Sequence, residues 1–433
     1  MRGTRCAAFL SWTTFRVTDL ILNSFDFAAE TRRTARPVDT ERGSREKAKY
    51  FFRRALELVS PLLIALTAFA ASAAVPSTMD VSSVVHKTPF VAEEIKVRVQ
   101  SVDSSFSVSG VGLRFLESPD TKTELYQALR VTWTRDPSGL FVWTIKDRDS
   151  DALISQFKSK RLEIIGTRVR INLKPVNGKV TVLPKGPRAD IIAILNLEEY
   201  LRGVLPAEMP KDWPLEALKA QAVASRTFAL YRKRAREKAG AVFHVESTVM
   251  DQVYRTFDFE AGPEFENVFQ AVRETEGMIL VTPGENPVPL AAYFHADCGG
   301  HTEDARTVWG EAGVGTAVCP HASPSEWKTE FSLSEIESRV KASLKNLPPS
   351  VSLMGLEALG KTVSGRVENV RLVWSDGEET LMPAHAFRMS LGHDRVRSTN
   401  FRLTVSAENR IHIIGQGAGH GVGLCQHGAR HMA

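Results

Sequence analysis

Three short stretches carry residues whose types and spacing could do chemistry. In Pro206-Ala207-Glu208-Met209-Pro210 one carboxylate stands between two prolines. Proline fixes φ and removes a backbone donor, so this turn is stiff and can hold one acid in place. A general acid/base is one use of such a group; a helix cap or a merely exposed carboxylate is the other. The second stretch is His295-Ala296-Asp297-Cys298-Gly299-Gly300-His301-Thr302-Glu303, followed by Cys319-Pro320-His321. Two Cys/His pairs in succession suit a four-ligand zinc site of Cys298, His301, Cys319 and His321. A Cys298–Cys319 disulfide, natural in an oxidising compartment, and a Gly-rich turn with packed histidines are the competing readings. In the third stretch, Gly415, Gly417, Gly419, Gly421 and Gly423 occupy alternate positions. Such spacing implies unusual backbone angles or the close approach of another group. This stretch itself holds no GxxxxGK[ST], so it is not that phosphate loop. His420, Gln426 and His427 beside the glycines suit a polar pocket, and a tight structural turn is the alternative.

The elements that must position these groups follow from hydrophobic patterning. From Glu94 onward Ile95, Val97 and Val99 alternate, and β-rich runs recur at Phe106–Val111, Leu129–Thr134, Leu140–Ile145, Leu162–Leu173 and Lys179–Leu183, separated by turns such as Asn177-Gly178. Residues 93–185 therefore read as a β-rich part. Residues 190–240 read as helical. Asn196 caps a helix over Leu197–Leu205 with Glu198 and Glu199 in its first turn. Pro206 and Pro210 bracket a break, and Pro214 opens a second helix that runs to Ala239 and stops at Gly240. Met278–Val281 and Leu290–Phe294 read as strands, 331–347 as a short amphipathic helix, and 366–375 and 400–414 as strands again. The fold class is α+β (mixed α/β), with a β-rich N-terminal part, a helical segment and further strands that together form a cleft.

The 433 residues are 43% hydrophobic and 24% charged, an ordinary globular balance. The net charge of +5 lies entirely in residues 1–73, which carry 12 Lys+Arg against 7 Asp+Glu and leave 43 of each sign elsewhere. The folded part is thus neutral, which excludes a nucleic-acid surface. Residues 53–74 have the make-up of a signal peptide: a basic flank at Arg53 and Arg54, an apolar run from Leu58 to Ala71, and Ala71-Ser72-Ala73 as a cleavage pattern. The run is shorter than the roughly 20 residues of a membrane span. Residues 1–52 then form an N-terminal extension and 75–92 a linker. Cys298, Cys319 and Cys425 make an odd count in the exported part, which forbids complete internal pairing.

Taken together, Leu195–Val204 with Ala207–Pro210, Ala217–Thr227, Asp251–Tyr254, Cys298-Gly299-Gly300 through Glu303, Val308-Trp309-Gly310, and Gly419–Gly423 with Gln426 and Gly428-Ala429 resemble the SpoIID/LytB (stage II sporulation protein D) family, in the same order, over residues 93–433. Residues 186–433 correspond to its catalytic-type core, and further residues are expected beyond Ala433. His427 stands where an aromatic residue is common in that family, and Cys425 where a small one is.

The resemblance implies an exported protein of the periplasm, cell wall or extracellular space that binds peptidoglycan glycan strands. Some relatives are lytic transglycosylases, and others enhance a cell-wall amidase. In the enzymes the acid is the Glu of the segment that corresponds to Ala207–Pro210, which implies Glu208 here. It protonates the glycosidic oxygen of the MurNAc–GlcNAc bond and then takes the proton of the muramoyl C6 hydroxyl, closing a 1,6-anhydro ring. The nucleophile belongs to the substrate, so one carboxyl suffices where water-using glycosidases need two. Gln221, Arg226, Tyr254, His420 and Gln426 are the candidate substrate contacts. Zinc on four protein ligands would be structural, with no open position. A zinc hydrolase on His295, Cys298 and His301 lacks the HExxH helix.

Overall fold

The computed structural model describes residues 85–87, 93–116, 127–256, 262–310, 315–319, 325–344, 347–406 and 410–433. The expected extension and signal peptide fall outside them. Within the segment read as a linker, β1 (Val85–Lys87) pairs antiparallel with Met278–Leu280. No helix among the described residues is long and apolar enough to cross a membrane.

The β-rich part consists of β2 (Glu94–Asp103), β3 (Ser105–Phe115), β4 (Gln127–Arg135), β5 (Phe141–Asp147), β6 (Leu153–Ser159), β7 (Leu162–Ile171), β8 (Lys174–Pro175) and β9 (Lys179–Lys185). The next element corrects the sequence reading. Arg188–Asn196, taken as helical from residue 190, is strand β10. A continuous apolar run such as Ile191–Leu195 has no period that separates helix from strand. Its position decides: β10 lies between β2 and β9, paired with both, and six of its nine residues are buried. With β11 (Val245–Glu246) the strands form one ten-stranded sheet, ordered β11–β2–β10–β9–β7–β3–β4–β5–β6 with β8 on β7. Only β11 joins in parallel. The sheet therefore continues through residue 185 without interruption.

Helix α1 (Leu197–Glu208) leaves β10 directly. Asn196 Oδ1 accepts the Glu198 N–H at 2.8 Å, as a cap should. Asn196→Ala is expected to lower stability by about 1 kcal/mol in urea unfolding. The expected break at Pro206 does not occur, because the helix carries it in its last turn and ends at Glu208. Helix α2 (Leu215–Lys238) packs against α1 and α3 (Glu266–Glu274). Ile95, Val97, Val180, Ile191, Tyr200, Leu201, Leu218, Ala222 and Val268 close one core between sheet and helices.

Beyond β12 (Met278–Leu280) the strand expected at Leu290–Phe294 shrinks to β13 (Phe294–His295). Ala292 and Tyr293 donate to the carbonyls two residues back, at 2.9 and 2.8 Å, so their donors are spent locally. After α4 (Ala305–Trp309) comes a second core. It is built by β14 (Glu326–Ser332), α5 (Leu333–Lys341), β15 (Leu353–Lys361), β16 (Val367–Trp374), β17 (Glu379–Pro383), α6 (Ala384–Leu391), β18 (Phe401–Val405) and β19 (Arg410–Gln416). The last elements, β20 (Leu424–Cys425) and α7 (Gln426–Met432), return to the first body: β20 pairs with β13 and α7 packs on α2.

Candidate functional site

A cavity of about 560 Å³ opens between the two cores. One wall comes from the end of α1 (Glu208), from α2 (Phe228, Arg232), from the loop Val249–Val253 and from Tyr293–Ala296. The other comes from α6 and the turn after it, with His385, Arg388, His393, Asp394 and Arg397. Trp309 and the glycine stretch at Ala418–His420 complete it.

Glu208 is half-buried at the C-terminus of α1. Its Oε1 accepts the Val253 N–H at 2.7 Å. Burial pushes its pKa up, partly offset by that N–H and by the Gln426 amide. Asp251, a second carboxylate in the cavity, is committed elsewhere: Arg232 Nε lies 2.7 Å from its Oδ1 and Arg236 flanks it at 4.0 Å. Asp251 also accepts the Glu246 N–H at 2.8 Å.

The raised pKa has a consequence for stability. A carboxyl whose folded pKa exceeds the unfolded value of about 4.3 destabilises the fold once ionised. Its favourable contribution is complete below that value and disappears as pH rises through the folded pKa. Glu208→Gln keeps an acceptor for Val253 but never ionises. It is expected to raise the melting temperature at pH 7 by on the order of 2 °C, with the gain vanishing near pH 4; thermal scans across that range check it.

His420 does face the cavity. Burial, then the neighbouring His295, pushes its pKa well down, so its ring is neutral at pH 7. Its Nδ1 accepts the Val422 N–H at 3.1 Å, which leaves Nε2 to carry the hydrogen. Trp309 stands 5.0 Å from the His420 ring and 4.6 Å from that of Tyr293, between centroids. The close approach implied by the alternate glycines is also present: a Cβ on Gly421, at φ +85°, would collide with the Arg366 guanidinium.

The other expected contacts lie behind the cavity rather than in it. Gln426 Nε2 donates to Gln221 Oε1 at 3.4 Å, and Gln221 Nε2 to Ser225 Oγ at 2.9 Å. Tyr200 donates to Gln252 at 3.0 Å, and Gln252 to the Ser225 carbonyl at 3.2 Å. This buried network backs Glu208. Tyr254 stacks on Tyr200 with ring centroids 5.2 Å apart. Arg226, 1% exposed, forms a bidentate pair with Glu198 at 2.7 and 2.6 Å and donates to the Met278 carbonyl at 3.1 Å. It ties α1 to α2 and does not line the cavity.

The Cys/His cluster is also different from its expected form. His301 turns away, its Nδ1 lying 2.7 Å from the Thr302 carbonyl, and His321 lies outside the described residues. The parallel pairing of β13 with β20 sets His295 opposite Cys425. The ligand atoms of His295, Cys298 and Cys425 come within 4.8 Å of one another, all buried. Cys319 joins them through a hydrogen bond to the Cys298 thiol. None of these three cysteines is in a disulfide, so the Cys298–Cys319 bridge is not formed. The Cys298–Cys425 hydrogen bond pushes the Cys298 thiol up and the Cys425 thiol down.

Of the residues singled out from the sequence as acid or substrate contacts, Glu208 and His420 line the cavity, and the α6 wall was not among them. His385, Arg388, His393, Asp394 and Arg397 belong to no motif, and no local signal marks them.

Comparison with known proteins bears on this site. A family model described as stage II sporulation protein matches residues 185–281, and one described as a domain of unknown function, DUF8618, matches 321–423. An uncharacterized protein of Brachyspira hyodysenteriae is 37% identical over 265 residues, 59% of this chain and 66% of that protein. Stage II sporulation protein D of Bacillus subtilis is 30% identical over 248 residues, 55% of this chain and 68% of its own. The amidase enhancer of Bacillus subtilis is 27% identical over 281 residues, 54% of this chain but 37% of its own length. The chain thus spans about two thirds of the first two relatives and little more than a third of the third.

Proposed function

The chain belongs to the stage II sporulation protein D family, whose function is related to the cell wall, and from that premise we propose that it is an exported peptidoglycan lytic transglycosylase with Glu208 as its acid and base. The observation that carries the reading is the environment of Glu208: a cavity-lining carboxyl, half-buried, with its pKa raised by burial and its Oε1 fixed by the Val253 N–H. With Oε1 held as an acceptor, the proton sits on Oε2. That proton passes to the glycosidic oxygen as the C1–O bond breaks. The carboxylate then accepts the proton of the C6 hydroxyl as it closes on C1, so Glu208 ends as it began.

The cavity suits such a substrate. Tyr293 and Trp309 offer aromatic faces to pyranose C–H groups. Arg388 and Arg397 place positive charge near the acid group that a muramoyl sugar carries. Burial lowers the Arg388 pKa only to about 10, which leaves it charged at neutral pH.

The test is a digest of purified glycan strands, with and without stem peptides, read by mass spectrometry. Anhydromuramoyl ends are expected. Intact strands, together with faster peptide release by an added wall amidase, would replace this reading with an enhancer role like the one named for the Bacillus subtilis relative.

A further inference from the structure

We propose that a second pocket, of about 360 Å³ and sharing His385 and His420 with the cavity, binds a stem peptide of the wall through one of its carboxylates, with Arg366 as the anchoring cation. The first argument is an unspent guanidinium. Arg366 lines this pocket and is 1% exposed. Its Nη2 donates to the Cys298 carbonyl at 2.7 Å, and Gly421, which has no side chain, lets the group lie close. Its Nε and Nη1 are buried with no hydrogen-bond partner among the described residues. Glu303 favours its charge, yet the two oxygens of Glu303 already accept from Ser364 Oγ at 2.6 Å and from the Asp304 N–H at 2.9 Å. A buried charge costs free energy unless it is paired and hydrogen-bonded, and a carboxylate is a group that fits a guanidinium.

The second argument is the rest of the lining. His385 Nδ1 is also buried without a hydrogen-bond partner, so the residues around one pocket carry three unpartnered nitrogens. Asn369, Thr362 and Thr399 add an amide and two hydroxyls, which suit peptide groups. Glu368 lines the pocket too and is exposed. Its negative charge repels a bare anion such as phosphate and favours a ligand that carries an ammonium group besides its carboxylate. Amino-acid chemistry answers both.

The third argument is position. Because His385 and His420 line both spaces, a group in the pocket belongs to the same wall fragment as the glycan in the cavity, an identification that rests on the reading of the function proposed above. The muramoyl sugar's own acid sits on the ring, beside Arg388 and Arg397 in the cavity, and brings no ammonium. A stem peptide is joined to the sugar through that acid, reaches further, and carries both charges on its diamino acid. Arg366 is therefore a binding residue for the peptide. It touches no reacting atom, and no bond is made or broken in the pocket.

The experiment measures binding to the full chain by calorimetry, with three probes: a free stem tetrapeptide containing a diamino acid, the same peptide with every carboxylate amidated, and a peptide-free muramoyl disaccharide. The tetrapeptide is expected to bind, and amidation to weaken it by at least about 10-fold, the worth of one hydrogen bond to a charged group. Arg366→Gln and Glu368→Lys should each weaken the tetrapeptide by a similar factor and leave the disaccharide unchanged. If Arg366→Gln does not fold, Glu368→Lys at an exposed position and Asn369→Phe, which fills the pocket, decide. The proposal is overturned if the native chain does not bind the tetrapeptide, if amidation makes no difference, or if these variants bind it as the native chain does. Disaccharide binding that falls with Arg366→Gln while the tetrapeptide is indifferent would give the carboxylate to the sugar and likewise overturn it. None of these readouts uses cleavage. Tetrapeptide binding by a chain that forms no anhydromuramoyl ends would sink the transglycosylase reading and leave this site standing.

Discussion

Glu208→Gln should slow glycan cleavage by about 10²–10⁴-fold, the range that a positioned acid/base contributes. The amide keeps an oxygen for the Val253 N–H at the 2.7 Å position, so the loop Val249–Val253 should stay in place. What it lacks is a transferable proton. Binding to wall sacculi should be unchanged, and anhydromuramoyl ends should vanish. Glu208→Asp separates position from chemistry: it keeps the acid but withdraws it by one methylene, and a displacement of about 1 Å can cost 10²-fold. The pH profile carries the same signature. Cleavage needs the protonated acid, so kcat should fall as pH rises through the raised pKa of Glu208. If Glu208→Gln cleaves at the native rate, this residue is not the acid.

Arg226→Leu should cost about 3–5 kcal/mol of stability, the penalty for breaking a buried ion pair by removing one partner. The side chain of Arg226 is 1% exposed and that of Glu198 is 18%, so water can only partly compensate the orphaned carboxylate. The same change strips the Met278 carbonyl of its donor. Arg226→Lys keeps the charge but not the two-pronged geometry, and should fall between. Adding Glu198→Gln to Arg226→Leu should recover part of the loss, because no unpaired charge remains. Urea midpoints at constant slope measure each step. A loss below about 1 kcal/mol combined with loss of wall binding would instead put Arg226 at the substrate. Since the pair locks α1 to α2, and α1 ends at Glu208, its removal should also blunt catalysis.

Much of the site's frame was legible in local chemistry. Asn196 as a cap, the start at Pro214 and the stop at Gly240 are each decided within a few residues, and the structure agrees. The strand alternation from Glu94 was equally local, whereas Ile191–Leu195 was not. That run is buried on both faces, and burial on both faces erases the period that distinguishes strand from helix.

What the sequence by itself determined is therefore the inventory: a carboxylate at Glu208 held between two prolines, a family, an α+β class, and three stretches rich in chemistry. Only the tertiary structure decided the partnerships. Arg226 had the look of a substrate contact until Glu198, on the neighbouring helix, claimed both of its prongs. His301 is three residues from Cys298, yet the nitrogen that reaches the sulfurs belongs to His295, because a strand register pairs it with Cys425. The cavity wall on α6 comes from a separate core and bears no mark in its own residues. Caps and turns are settled by neighbours in sequence, where short-range sterics and hydrogen bonds suffice. Which side chains meet across a cavity depends on register and packing between segments more than a hundred residues apart, and no local preference encodes that.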